Sequence, residues 1–135
     1  MAVSIIILAA GQGKRMHSVL PKVLQPLAGK SLLQHVIDSA VEIGGDDICI
    51  VYGYGADAIL LAFEGQDLRW ELQTEQLGTG HAVQQAMPET PDDNQVVILF
   101  GDVPLLRLET LSRMLDCCGV DEVAVLTADM EEPFG

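Results

Sequence analysis

"SIIILAAGQGKRM", Ser4–Met16, passes without a break from an apolar run into two glycines and then two adjacent cations. The run Ser4–Ala9 is continuously apolar and rich in β-branched residues. This is the pattern of a strand buried on both faces rather than of an amphipathic helix. Gly11 and Gly13 then remove side chains from the following turn, so that backbone N–H groups can approach an anion closely. Arg15 adds a planar fork suited to phosphate, and Lys14 adds charge. A tight strand-to-helix turn would use the same glycines, so the pair alone does not decide between turn and anion site.

Outward from this stretch the chain alternates strand and helix. Ser31–Ile43 reads as a helix, with Leu32, Leu33, Val36, Ile37, Ala40 and Val41 on one face, Ser31 as its cap and Gly44-Gly45 as its stop. Asp47–Tyr52 reads as a second strand, followed by a glycine-rich turn and a short helix over Ala56–Phe63. Arg69–Gln73 is expected as a third strand, Thr79–Met87 as a helix and Gln95–Phe100 as a fourth strand. Leu108–Leu115 is expected as a helix and Val123–Ala128 as a fifth strand. Apolar strands alternating with helices predict an α/β fold, a Rossmann-like, mostly parallel sheet with helices on both faces. Ligands of such sheets bind outside the carboxyl ends of the strands. The loops after strands one, three and four, residues 10–20, 74–80 and 101–106, are therefore expected to converge.

Charge and composition narrow the function. The 135 residues suffice for one domain with a core, and carry a net charge of −13. Nucleic acid and anionic membranes are excluded as favoured partners on that charge. The apolar run at the start is far shorter than the roughly 20 residues a membrane span needs. An odd number of cysteines, Cys49 with the neighbours Cys117 and Cys118, argues for a reducing, cytoplasmic setting. Lys14, Arg15, Lys22 and Lys30 all precede the first acidic residue, Asp38, so a cationic island sits in an acidic chain. That distribution points to a small anionic ligand.

Three further stretches carry chemistry. In "LPKVLQPLAGK", Leu20–Lys30, Pro21 stiffens the backbone ahead of Lys22, which closely follows the glycine loop. In "LFGDVPLL", Leu99–Leu106, Gly101 lets the chain turn and Asp102 is the first carboxylate past the strand. Asp102 could cap a turn. Opposite a phosphate site it suits Mg2+, which joins one or two carboxylates to substrate phosphates. In "QTEQLGTGHAV", Gln73–Val83, the amides of Gln73 and Gln76 suit a nucleobase edge, and Gly78 and Gly80 allow close approach at a helix start. His81 reads as an orienting or surface histidine rather than a base, because no nucleophile accompanies it. A dinucleotide-binding domain is disfavoured: Met16 stands where its third glycine belongs, and Tyr52-Gly53-Tyr54 stands where its ribose-binding acid is expected.

With "LAAGQGKRM", "LPKVLQPLAGKSLLQHVID", "EQLGTGHAVQQA" and "GDVPLL" in this order, the whole chain resembles the amino-terminal uridylyltransferase domain of the bacterial bifunctional N-acetylglucosamine-1-phosphate uridylyltransferases, in the sugar-nucleotidyltransferase superfamily. The resemblance implies transfer of uridylyl from UTP to N-acetylglucosamine-1-phosphate, giving UDP-N-acetylglucosamine for the cell wall and pyrophosphate, with Mg2+ as cofactor. It sets uracil and ribose against the backbone of Leu8, Ala9, Ala10 and Gly11, with Gln73, Gly78 and Thr79 completing nucleotide recognition. It makes Arg15 and Lys22 the catalytic phosphate-binding cations and Asp102 a metal ligand. Gly13, Phe100 and Gly101 complete the nucleotide-binding set. Phe100 stands where the family often has tyrosine, so an aromatic contact is kept and a hydroxyl lost.

Residues 1–135 are on this basis expected to be the amino-terminal part of a nucleotidyltransferase domain. The remaining sugar-site residues, the β-helical acetyltransferase domain and the trimer that depends on it are expected beyond Gly135. The alternatives are a related nucleotidyltransferase with another nucleotide or acceptor, or a nucleotide-binding fragment without turnover.

Overall fold

The computed structural model describes residues 2–11 and 20–127. Strand β1 (Val3–Leu8) is followed by a single 3-10 turn at Lys22–Leu24 and a small hairpin, β2 (Pro26–Leu27) with β3 (Lys30–Ser31). Helix α1 (Leu32–Glu42), β4 (Asp47–Tyr52), α2 (Ala56–Ala62), β5 (Arg69–Leu72), α3 (Thr79–Ala86), a second 3-10 turn at Met87–Glu89, β6 (Gln95–Phe100) and α4 (Leu108–Cys117) complete the order. Four strands form one sheet in the order β5–β4–β1–β6, and every pairing is parallel. The chain divides at Leu105 into two compact units, the sheet with its helices and the segment that bears α4.

Strand order fixes which face each helix covers. From β1 the chain steps to β4 and β5, then crosses back to β6 on the other side of β1. Right-handed crossovers then put α1 and α2 on one face and α3 on the other. On the α3 face, Ile6, Ala10, Cys49 and Val51 pack against Ala82 and Ala86, with Leu8, Val83 and Val96 around them. Alternation along the strands gives Ile5, Ile7 and Ile50 to the opposite face, where all three are fully buried. The apolar stripe of α1 (Leu33, Val36, Ile37 and Ala40) is buried as its spacing requires. Ser31 accepts a hydrogen bond from the Gln34 N–H at 3.1 Å, and Gly44 takes up a φ of +88° past the last turn, so both ends of α1 stop where the sequence indicates.

Arg69 ties the far end of the sheet together. Its Nε and Nη2 donate to the two carboxylate oxygens of Asp47 at 3.1 and 3.0 Å, joining β5 to β4. Nη1 reaches the Ala86 carbonyl at 3.2 Å, and Nη2 the Thr90 hydroxyl at 3.1 Å, so the end of α3 is tied to the same point. The Asp47 carboxylate, which accepts these bonds, holds the guanidinium pKa above its ordinary value, against a smaller opposing effect of burial.

One expected element does not form. Residues 123–127 of the expected strand Val123–Ala128 are not in a strand, and Ala128 lies outside the described residues. Val123, Val125 and Leu126 are exposed. A strand needs a partner ladder, and none of the described residues pairs with this segment, so β propensity and apolar composition are insufficient there.

Candidate active site

The sheet reverses its winding at β1, with β4 on one side and β6 on the other. In such a sheet the crevice lies outside the carboxyl ends of these strands. Two backbone bonds hold the end of β1 at that point. Ala9 N–H donates to the Val51 carbonyl at 2.8 Å, and Gly101 N–H donates to the Leu8 carbonyl at 2.9 Å. Ala9 and Ala10 are buried, Leu8 is half-buried on the α3 face, and Gly11 is exposed, with none of the described residues within 4 Å of where its side chain would stand. Gly101 has no such room. A methyl group there would lie 3.2 Å from the Leu8 carbonyl and 3.3 Å from the side chains of Leu33 and Val23. Its small size lets the chain leave β6 directly over β1.

Lys22 is delivered to this place by its neighbours. Val23 is buried beside Gly101, and Pro21 packs on Gly55 so closely that a methyl group on Gly55 would fall 2.3 Å from the Pro21 ring. Gly55 itself has a φ of +73°, which only glycine adopts without strain. Lys22 Nζ then lies 2.9 Å from Asp102 Oδ2, with the two side chains 45% and 32% exposed. Among the described residues Lys22 is the sole hydrogen-bonding or ionic partner of the Asp102 carboxylate, so Asp102 caps no turn. Phe100, at the end of β6, is about half exposed on the face that α3 covers further along.

The loop after β5 reaches the same end of the sheet through the turn after β4. A methyl group on Gly53 would meet the Gln73 carbonyl at 2.9 Å, the Gln76 amide at 2.8 Å and Ala10 Cβ at 3.5 Å. Gln73 is buried, and its Nε2 lies 3.3 Å from the Gly78 carbonyl and 2.9 Å from His81 Nδ1. Gly78 has a φ of +102° and begins α3, with exposed Thr79 as the first helical residue.

Lys22, Asp102, Gly101, Phe100, Leu8, Ala9, Ala10 and Gly11 thus gather around the ends of β1 and β6. Gln73, Gly78 and Thr79 stand on the loop that Gly53 joins to Ala10. Arg15, Gly13 and Lys14 lie outside the described residues. Lys30 belongs to the cationic island in sequence only: it pairs with Asp38 of α1 at 2.8 Å. Partial burial pushes the Asp38 carboxyl up, but Lys30 and the Gln34 amide outweigh it and hold the group below its ordinary range. Gly53 and Gly55 carry the packing of the site, whereas the sequence assigned them only to a glycine-rich turn; the signal was the G-Y-G spacing just past a strand.

A cation beside a carboxylate at this crevice can divide its labour between a phosphate and a metal. Comparison with known proteins bears on which chemistry uses it. Residues 5–134 match the family model of the MobA-like NTP transferase domain. The bifunctional protein GlmU of Marinobacter nauticus is 53% identical over 131 residues, covering 97% of this chain and 29% of that protein. GlmU of Herminiimonas arsenicoxydans is 51% identical over 132 residues, covering 98% of this chain and again 29% of the relative. The chain thus spans under a third of either curated relative. Among solved structures, a nucleotidyl transferase from Methanothermobacter thermautotroptrophicus superposes with a TM-score of 0.75 at 22% identity, covering 87% of this chain and 58% of that one. At that identity the likeness concerns the fold.

Proposed function

The chain belongs to the MobA-like NTP transferase domain family, and from that membership we propose that it carries the nucleotide half of a uridylyltransferase site. The reaction is UTP with N-acetylglucosamine-1-phosphate, giving UDP-N-acetylglucosamine and pyrophosphate. Residues 1–135 form the amino-terminal part of the transferase domain and act in the cytoplasm. The observation that carries this reading is the 2.9 Å pair of Lys22 and Asp102 at the switch point of the sheet. The GlmU relatives are similar along nearly the whole chain, and the resemblance of the four motifs to the uridylyltransferases supports UTP as the nucleotide.

The donor set suits a metal that arrives with its substrate. Among the described residues no cluster of three or more His, Cys, Asp or Glu side chains is assembled for a resident ion. Asp102 offers one carboxylate, and Mg2+ commonly completes its shell with substrate phosphates and water. When bound, Mg2+ would polarise and orient the phosphates held at Asp102.

The chain's own residues would act by position and charge. Lys22, once released from Asp102, neutralises charge that gathers on the α- and β-phosphates as the transfer proceeds. Arg15 is assigned the same task from the sequence. The backbone of Leu8–Gly11 cradles the nucleoside, Gly78 and Thr79 approach the base, and Phe100 packs beside it. A phosphate oxygen of the sugar phosphate forms a bond to the α-phosphorus. The bond from that phosphorus to the β-bridging oxygen breaks, and its electron pair leaves with pyrophosphate. The attacking phosphate is already ionised, so no general base is required, consistent with His81 being engaged elsewhere.

The test is pyrophosphate release by the full-length protein with Mg2+, N-acetylglucosamine-1-phosphate and each of UTP, CTP, dTTP and GTP. Release should be fastest with UTP. Faster turnover of another nucleotide would replace this reading with a transferase of different specificity, and binding of UTP without turnover would leave a nucleotide-binding module.

A further inference from the structure

Lys22 is a long, half-exposed side chain, and its place depends on the short turn that carries it. Pro21 precedes that turn, and its carbonyl accepts the Leu24 N–H at 3.0 Å. The turn is held from two sides. Val23 lies against Gly101, where a methyl group would stand 3.3 Å from Val23 Cγ1. On the other side the buried Pro21 ring fills the space that a side chain on Gly55 would need. A Cβ there would fall 2.3 Å from Pro21 Cγ and 3.3 Å from Pro21 Cβ.

Gly55 is fixed from behind. Its carbonyl accepts the Ile59 N–H at 3.0 Å in the first turn of α2, and Ile59 is fully buried. Two residues earlier in the same turn, Gly53 abuts the Gln73 carbonyl and Ala10. Packing this close passes strain on instead of absorbing it. A side chain at position 55 would therefore displace Pro21 rather than the turn after β4, and Lys22 would move with it.

We propose that Gly55 is a positioning residue for the phosphate-binding cation: the space left by its missing side chain seats Pro21 and so sets Lys22 Nζ beside Asp102. This rests on the uridylyltransferase reading, and deepens it by naming what fixes the reach of the cation. Lys22 acts on charge that builds on the phosphates during transfer. Displacing it should slow the chemical step more than it weakens nucleotide binding.

The test is steady-state pyrophosphate release by the full-length protein, with whichever of UTP, CTP, dTTP and GTP the wild type turns over fastest. Gly55→Ala and Gly55→Asn are compared, since asparagine tolerates a φ of +73° better than alanine while carrying the same Cβ. Both should lose about tenfold or more in kcat, with KM for the nucleotide within about threefold of wild type. Pro21→Ala removes the Cγ nearest to the added methyl group. In that background Gly55→Ala should cost less than about threefold in kcat, although its backbone strain and lowered melting temperature remain. Wild-type kcat in both Gly55 variants overturns the inference. So does a loss that persists in the Pro21→Ala background, as a general folding defect would, or one that falls on KM alone. A best nucleotide other than UTP overturns the uridine assignment without touching this comparison, and absence of turnover with all four overturns both.

Discussion

Asp102 shows what one residue can carry at a strand end. On the proposed reading its carboxylate would take the divalent ion, and Lys22 pairs with it at 2.9 Å. Asp102→Asn should therefore lower turnover by about a hundredfold or more while leaving the melting temperature within a few degrees, as measured by pyrophosphate release and thermal unfolding. Cys49 lies at the opposite extreme, a fully buried thiol whose surroundings push its pKa up from 9.0 to about 11, chiefly by burial. A group whose folded pKa is raised adds stability below its unfolded value and loses it as pH climbs through the folded one. Unfolding free energy should thus fall by on the order of 2–3 kcal/mol between pH 9 and 11, and the fall should be smaller in Cys49→Ala. Native alkylation should accordingly modify exposed Cys117 and half-buried Cys118 and spare Cys49.

Between residue and domain stand the pieces that hold elements to each other. The bidentate Arg69–Asp47 pair, with each side chain 22% exposed, joins β5, β4 and the end of α3. Arg69→Met leaves the Asp47 carboxylate half-buried without its cation, and should cost about 2–3 kcal/mol in urea unfolding. The β2–β3 hairpin turns through Ala28 at a φ of +51° and Gly29 at +85°. An alanine is strained in the left-handed region, so Ala28→Gly should raise stability by about 0.5–1 kcal/mol in the same assay. These two elements also show what sequence patterns can and cannot convey. The ends of α1 were legible because Ser31 and Gly44 act within one helical turn. The hairpin and the 3-10 turn at Lys22–Leu24 were not, being too short for any periodicity to register.

At the scale of the whole molecule, a charge of −13 at neutral pH sets the background. Repulsion among 20 acidic groups opposes compaction, and salt screens it over about 10 Å at 0.1 M. Raising NaCl from low concentration to 0.3 M at pH 7.5 should therefore increase the melting temperature by a few degrees, read by differential scanning fluorimetry. A flat or falling trend would mean that specific ion pairs outweigh the general repulsion.

The parallel sheet was legible in the sequence, because Ser4–Ala9, Asp47–Tyr52 and Gln95–Phe100 run largely apolar without alternation, the pattern of a covered parallel sheet, although β6 leaves Ile98 and Phe100 exposed. The pairing of Lys22 with Asp102 was not, since the two are far apart in the chain and meet only because β6 lies beside β1. The same holds for the turn at Gly53, whose closeness to Ala10 and Gln73 follows from β4 lying between β1 and β5. Residues 123–127 mark the converse case: their composition is that of a strand, but a strand exists only where a partner supplies its hydrogen bonds. Local periodicity is written in consecutive residues, whereas strand order, and with it every contact across the site, is decided by how the crossovers pack.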